Sequence, residues 1–157
     1  MVNINTDKVR FAWVIAAQRA IIDSQTQLVS LQDLLDTLDV EFHPDKESQI
    51  KPKKITVNTD FYVVTYWIYD NDQPIGKILD FKVSLISSEK EVMFEVPMHV
   101  VHEKSSNKYR HLLKVNGLGV TVSGLYAIQV DLKTDYGYEK VGQYEFDVKV
   151  KETPPVS

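Results

Sequence analysis

The chain has 157 residues, of which 43% are hydrophobic and 25% charged, the balance of an ordinary globular protein and not of a disordered or collagen-like chain. Its formal net charge is −4, so the composition carries no basic nucleic-acid footprint. It contains no cysteine, which excludes disulfides, thiolate zinc sites and cysteine nucleophiles together.

No apolar run approaches the ~20 residues that a membrane-spanning helix needs. Met1 to Lys8 shows no basic stretch leading into an apolar one, so no secretory signal is read and the expected location is cytoplasmic. One domain is expected over 1–157, with flexible ends at about 1–7 and 152–157.

The first segment, Val9 to Ala17, is apolar on both sides: Phe11, Trp13 and Ile15 alternate with Ala12, Val14 and Ala16. Such a run suits a central strand covered on both faces or a strand at an interface. Asp23 to Gln27 is a turn. From Ser30 to Val40 two readings compete. Leu31, Leu34, Leu35 and Leu38 fall at helical spacing behind a Ser30/Asp33 capping pattern, which predicts a short helix over 30–39. The rival is an irregular strand through Leu28, Leu31 and Val40. His43 to Gln49 and Lys51 to Lys54 form a long polar loop around Ile50.

Phe61 to Tyr69 is again apolar on both faces and is the most aromatic stretch, with Trp67 among tyrosines. Asp70 to Gly76 reads as a hairpin connection. Strict period-two alternation then marks four half-buried strands. They are Lys77 to Ile86, Val92 to Val100, Leu125 to Leu132 and Gln143 to Val150. Lys104 to Tyr109 reads as a loop, Gly117 and Gly119 as a bend or bulge between strands, and Thr134 to Tyr138 as the last hairpin turn. About seven to nine short strands with regular turns predict an all-β, antiparallel sandwich.

Two stretches carry a resemblance. The first runs from Phe11-Ala12-Trp13-Val14-Ile15-Ala16-Ala17 through Ala20-Ile21-Ile22-Asp23 and Thr26 to Leu28-Val29-Ser30-Leu31-Gln32-Asp33-Leu34-Leu35-Asp36. The second is Asn116-Gly117-Leu118-Gly119-Val120 followed by Ser123-Gly124-Leu125-Tyr126-Ala127-Ile128-Gln129-Val130. In this order they resemble a family of small uncharacterised bacterial and phage proteins with an immunoglobulin-like β-sandwich. The resemblance implies that fold, favours strand over helix at 30–39, and brings no catalytic residues. The long lysine-rich loop before Ile55 and the extended last hairpin depart from the family pattern. Gly124-Leu125-Tyr126 is also similar to a tyrosine corner, in which a buried ring keeps its hydroxyl for a backbone acceptor.

The chemistry-bearing clusters are few. His99, His102 and Glu103 are imidazole and carboxylate groups of the kind that bind zinc or iron, but residues three apart on a strand point to opposite faces. Asp70, Asn71 and Asp72 offer oxygens to calcium, but no EF-hand glutamate follows and turn chemistry accounts for them without any ion. Gly117 and Gly119 are not followed by the lysine and helix of a phosphate loop. Lys51, Lys53 and Lys54 form a short basic cluster, read first as a solvated loop. No catalytic residue, cofactor or metal ligand is assigned. The expected contacts for a ligand or partner are Trp67 in the aromatic strand and Tyr109, Tyr136 and Tyr138 in loops.

The sequence therefore predicts a non-catalytic recognition or scaffolding domain that meets an unknown protein partner or a second copy, through the strand Phe61 to Tyr69 or a sheet edge. No nucleic acid or membrane is expected. Three alternatives stand beside it: a small-ligand or carbohydrate module using the loop tyrosines, a metal-dependent hydrolase around His99, His102 and Glu103, and a phage structural component.

Overall fold

The computed structural model describes residues 9–23, 25–26, 28–42, 55–70, 76–102, 107–120 and 122–152. These form nine strands: β1 (Val9–Ile22), β2 (Val29–Leu34), β3 (Thr37–Phe42), β4 (Ile55–Tyr69), β5 (Ile78–Ile86), β6 (Val92–Val101), β7 (Lys108–Val120), β8 (Gly124–Thr134) and β9 (Gly137–Glu152). One sheet has the order β2-β1-β4-β7 and the other β3-β9-β8-β5-β6. With β2 set aside, β1-β4-β7 facing β9-β8-β5-β6 is the strand arrangement of an immunoglobulin-like sandwich. The polar loop 43–54 lies outside the described residues.

The core fills the space between the sheets, and period-two alternation supplies it. Phe61, Val63, Trp67 and Tyr69 enter from β4; Leu79, Phe81, Val83 and Leu85 enter from β5; Tyr126, Ile128, Val130 and Leu132 enter from β8. Trp67 is fully buried and joins the two sheets. Its ring lies 5.1 Å from Phe11 on β1 and 4.8 Å from Phe81 on β5. Its indole N–H donates to Thr65 Oγ1 at 3.0 Å, so the deepest aromatic leaves no donor unsatisfied.

One irregularity decides what β1 buries. Phe11 pairs with Trp67, but Trp13 pairs with Tyr66, so the register shifts across Ala12. In an unbroken strand Phe11 and Trp13 would share a face. The bulge instead sends Phe11, Val14 and Ala16 into the core and turns Trp13 and Ile15 outward. The single-sided set Phe11, Trp13, Ile15 expected from simple alternation is thus split between faces.

The segment 30–39 holds no helix. Asp33 has φ 55, Leu35 donates its amide to Ala16 O at 2.9 Å, and Asp36 O accepts from the Asp147 amide at 2.9 Å. Adjacent residues therefore bond to opposite sheets, and the chain crosses the sandwich between β2 and β3. That crossing breaks the alternation and brings Leu35 and Leu38 inside, which mimics helical spacing. It also makes β3 parallel to β9, so the sandwich is not wholly antiparallel. The strand β7 begins at Lys108, inside the expected loop Lys104 to Tyr109, whose residues 104–106 lie outside the described ones. The irregularity expected near Gly117 is present as a register shift with β4, where Val57 pairs with Leu118 and Asp60 with Asn116, and Gly117 takes φ 75. Arg110, Leu112 and Lys114 alternate with His111, Leu113 and Val115, and basic or histidine residues on both faces hide the period.

The corner at the start of β8 follows the expectation. Tyr126 is fully buried, and its hydroxyl donates to Val122 O at 2.8 Å. Gly124 enters the strand at φ 141, where a side chain is strained and would meet Ser88 Oγ at 2.8 Å. Removing only the hydroxyl, with Tyr126→Phe, is expected to cost about 1 kcal/mol. A larger loss is expected where the sheets close most tightly. A Cβ on Gly142 would meet the Phe11 ring, its Cζ at 2.8 Å. Gly142→Ala should destabilise by about 1–3 kcal/mol through overpacking, and Phe11→Leu in the same chain should recover part of it. Denaturant midpoints of the four proteins check both statements.

Candidate functional site

The two outer faces of the sandwich differ in kind. On the β3-β9-β8-β5-β6 sheet the outward residues are mostly polar. Gln129 donates to Asp131 at 2.9 Å, Gln143 donates to Glu145 at 2.8 Å, and Lys82 pairs with Glu95 at 3.3 Å. Lys82 also lies 4.7 Å above the Tyr138 ring. This is a solvated face of the usual sort.

The outer face of the other sheet is apolar at its centre. Residues directly opposed in an antiparallel pair share a face. The residues of β4 that alternate with the core set are Tyr62, Val64, Tyr66 and Ile68. Val64 stands between Ile15 on β1 and Leu112 on β7; Tyr66 stands between Trp13 and Arg110; Tyr62 stands between Ala17 and Lys114; Ile68 stands between Arg10 and Lys108. Trp13 and Tyr66 are 5.3 Å apart, and Arg110 caps the Tyr66 ring at 4.7 Å. Val64 and Ala17 are fully buried, yet they belong to no part of the core between the sheets. The described strands all lie within the two sheets, and none of them covers this face.

The charges that border it are nearly of one sign. Arg10 and Arg19 lie on the β1 side, and Lys108, Arg110 and Lys114 lie on β7. Among the described residues of the face the carboxylate is Asp60, which approaches Lys114 at 3.9 Å with both groups half-exposed or more. A pair so open to water is worth little.

The residues singled out from the sequence are scattered. Trp67 is in the core and offers no surface, which removes it as a contact. Tyr109 turns inward, edge-on to Tyr69 at 5.3 Å and to His102 at 6.2 Å. Tyr136 projects from the last hairpin with 95% of its surface exposed, and Tyr138 lies beside it on the polar outer face. His99 is exposed, whereas His102 is buried and stacks on Tyr69 at 4.6 Å. The two histidines therefore diverge, as their spacing predicts. Glu103, Asn71, Asp72 and the lysines at 51, 53 and 54 lie outside the described residues. No group of three metal-ligating side chains occurs among the described residues. Among the described residues there is no helix long and apolar enough to cross a membrane.

The apolar outer face was missed because Ala12 hides the parity of β1 and because β7 does not look like a strand. The available signal was the apolar character of Phe61 to Tyr69 on both sides. A run of that kind fits central burial or an interface. The structure separates the two: odd positions are core and even positions form the outer face.

The interior also titrates. Burial raises the Tyr69 hydroxyl to about 12, with Tyr109 adding to it, and the hydroxyl donates to Val100 O at 3.2 Å. His111 faces inward with its ring edge-on to Phe81 at 5.7 Å. Burial, and secondarily His99, hold its pKa below the ordinary 6.5. The unfolded chain therefore takes up this proton more readily than the folded one. Stability is full above about 6.5 and declines as pH falls toward the depressed folded value. Denaturant midpoints at about pH 7.5 and about pH 5.5 should show an acid loss in the native chain that His111→Gln reduces.

No family model matches the chain. No curated protein matches it. Among solved structures it is similar to the soluble domain of PmoD from Methylocystis sp. ATCC 49242 (Rockwell), at 12% identity and a TM-score of 0.33, covering 92% of this chain and 99% of that one. A likeness at that level assigns neither a family nor an activity.

Proposed function

We propose that the chain is a non-catalytic recognition or scaffolding domain that acts through protein–protein contacts made by the outer face of the β2-β1-β4-β7 sheet. The observation that supports this reading is the second apolar cluster, built from Trp13, Ile15, Val64, Tyr66 and Leu112 and separate from the core. Contiguous apolar surface on a folded domain marks an interaction site more often than not when polar residues rim it. The opposite outer face carries polar pairs instead, Gln129 with Asp131 and Lys82 with Glu95.

The edges favour a face over strand pairing. The strand β4 is interior to its sheet, so its backbone is already bonded and cannot recruit a second copy. The edge strands are blunted in known ways. Strand β6 contains Pro97, β2 and β3 are six residues each, and β7 carries Lys108, Arg110 and Lys114.

A photo-crosslinking residue at position 112 in cells expressing the chain is expected to yield a protein adduct of discrete mass. The same residue at Gln129, on the polar outer face, should yield none. Ile15→Glu should abolish the adduct while changing stability by about 1 kcal/mol or less, since its side chain lies outside the core. Equal labelling from both positions, or an adduct that survives Ile15→Glu, would overturn the reading.

A further inference from the structure

We infer that the occupant of this face is an acidic amphipathic helix presented by another protein. The inference rests on the proposed interaction face and adds the chemistry and shape of what binds there. Size comes first. The apolar stripe runs from Tyr62 to Ile68 on β4 and across β1 and β7. At about 3.4 Å per residue and about 4.8 Å per strand spacing, it is roughly 20 Å long and roughly 14 Å wide, or about 300 Å². A stable interface buries about 800 Å² per partner, so a second sandwich docked here would leave most of its contact surface unmatched. A single helix is about 10–12 Å across, and about 13 residues of it span 20 Å. The stripe has the dimensions of one such segment lying along the strands.

Charge then selects the sign of that segment. Basic side chains border the stripe: Lys108, Arg110 and Lys114 run along β7, and Arg10 and Arg19 stand at the two ends of its β1 side. The same face of a second copy supplies no matching row of acids. Related by a twofold axis across the strands, β7 would lie over β7 and oppose like charges. Related by an axis along the strands, β7 would lie over β2, whose residues on this face are Ser30, Gln32 and Leu34. A helix with leucine-like residues at i, i+3, i+4 and i+7, carboxylates along the flank that meets β7 and further carboxylates near its two ends fits the stripe and its borders together. Arg110 is already held over Tyr66 at 4.7 Å, so its guanidinium is positioned for a carboxylate with less ordering cost than a free arginine.

The test uses designed peptides with the full chain. One amphipathic helical peptide carries a leucine stripe flanked by glutamates, and its counterpart has every glutamate replaced by lysine. Fluorescence anisotropy is expected to show the glutamate peptide binding at least tenfold more tightly, with the affinity falling as salt rises. Arg110→Glu combined with Lys114→Glu should reverse the preference, and circular dichroism confirms that the variant remains folded. Equal binding of the two peptides, tighter binding of the lysine peptide, or a preference unmoved by charge reversal would overturn the inference. So would binding to phosphatidylcholine–phosphatidylserine vesicles that charge reversal abolishes, with no peptide bound, or a concentration-dependent dimer lost with Ile15→Glu. If crosslinking at position 112 remains sensitive to Ile15→Glu while the peptides show no charge preference, only the helix assignment fails. If crosslinking ignores Ile15→Glu, the interaction face itself fails.

Discussion

Ala12 is one residue too many for the pairing of β1 with β4, and the consequences of that surplus run through the molecule. It lets Phe11 stack edge-on against Trp67 inside the sandwich while Trp13, two residues later, meets Tyr66 outside it. Bulges commonly re-aim side chains in this way. Here the re-aiming gives the core its contact between sheets, through Phe11, Trp67 and Phe81. It also gives the exterior its aromatic pair. A continuous strand would bury Trp13 or expose Phe11, and one of the two clusters would be lost. Gly142 records the same constraint from the opposite sheet, because the Phe11 ring occupies the space that a Cβ would need.

Most of the fold was legible where a strand has one wet face. The strands β5, β6, β8 and β9 follow the alternation predicted for them, and Tyr126 makes the backbone hydrogen bond expected of its corner. Legibility failed where both faces of a strand have business. In β7 the outward residues are Arg110, Leu112 and Lys114 and the inward ones His111, Leu113 and Val115, so no contrast between faces reaches the sequence. At 30–39 the difficulty was different. Leu35 and Asp36 bond to opposite sheets, and the leucines of two short strands fall together at a helix-like spacing. Neither case is readable from local pattern, because pairing partners more than a hundred residues away set the geometry at Asp36.

The candidate site was half legible for the same reason. Phe61 to Tyr69 reads as apolar on both faces, and that reading holds. Which face served the core depended on the partner strands. Trp67 is one of the four contacts the sequence suggests, yet the size that draws attention to it is also what suits a residue to bridge two sheets. The smaller members of the stripe, Ile15, Val64 and Leu112, carry no mark of function singly. They become a surface only through the registers of β1, β4 and β7.

An apolar outer face is a hazard during folding as well as an asset afterwards. Exposed β-rich hydrophobic stretches favour aggregation, and flanking charges are the common protection. The basic residues along β1 and β7 serve that purpose whether or not a partner is present, since like charges on two copies oppose the approach of face to face. On the proposed reading, the same charges that keep copies apart would attract an acidic partner over distances of about 8–10 Å at physiological salt. Self-avoidance and partner choice are therefore one arrangement and not two. Neutralising Lys108, Arg110 and Lys114 should then loosen both together, because these charges and not the apolar residues set the sign of what can approach the face.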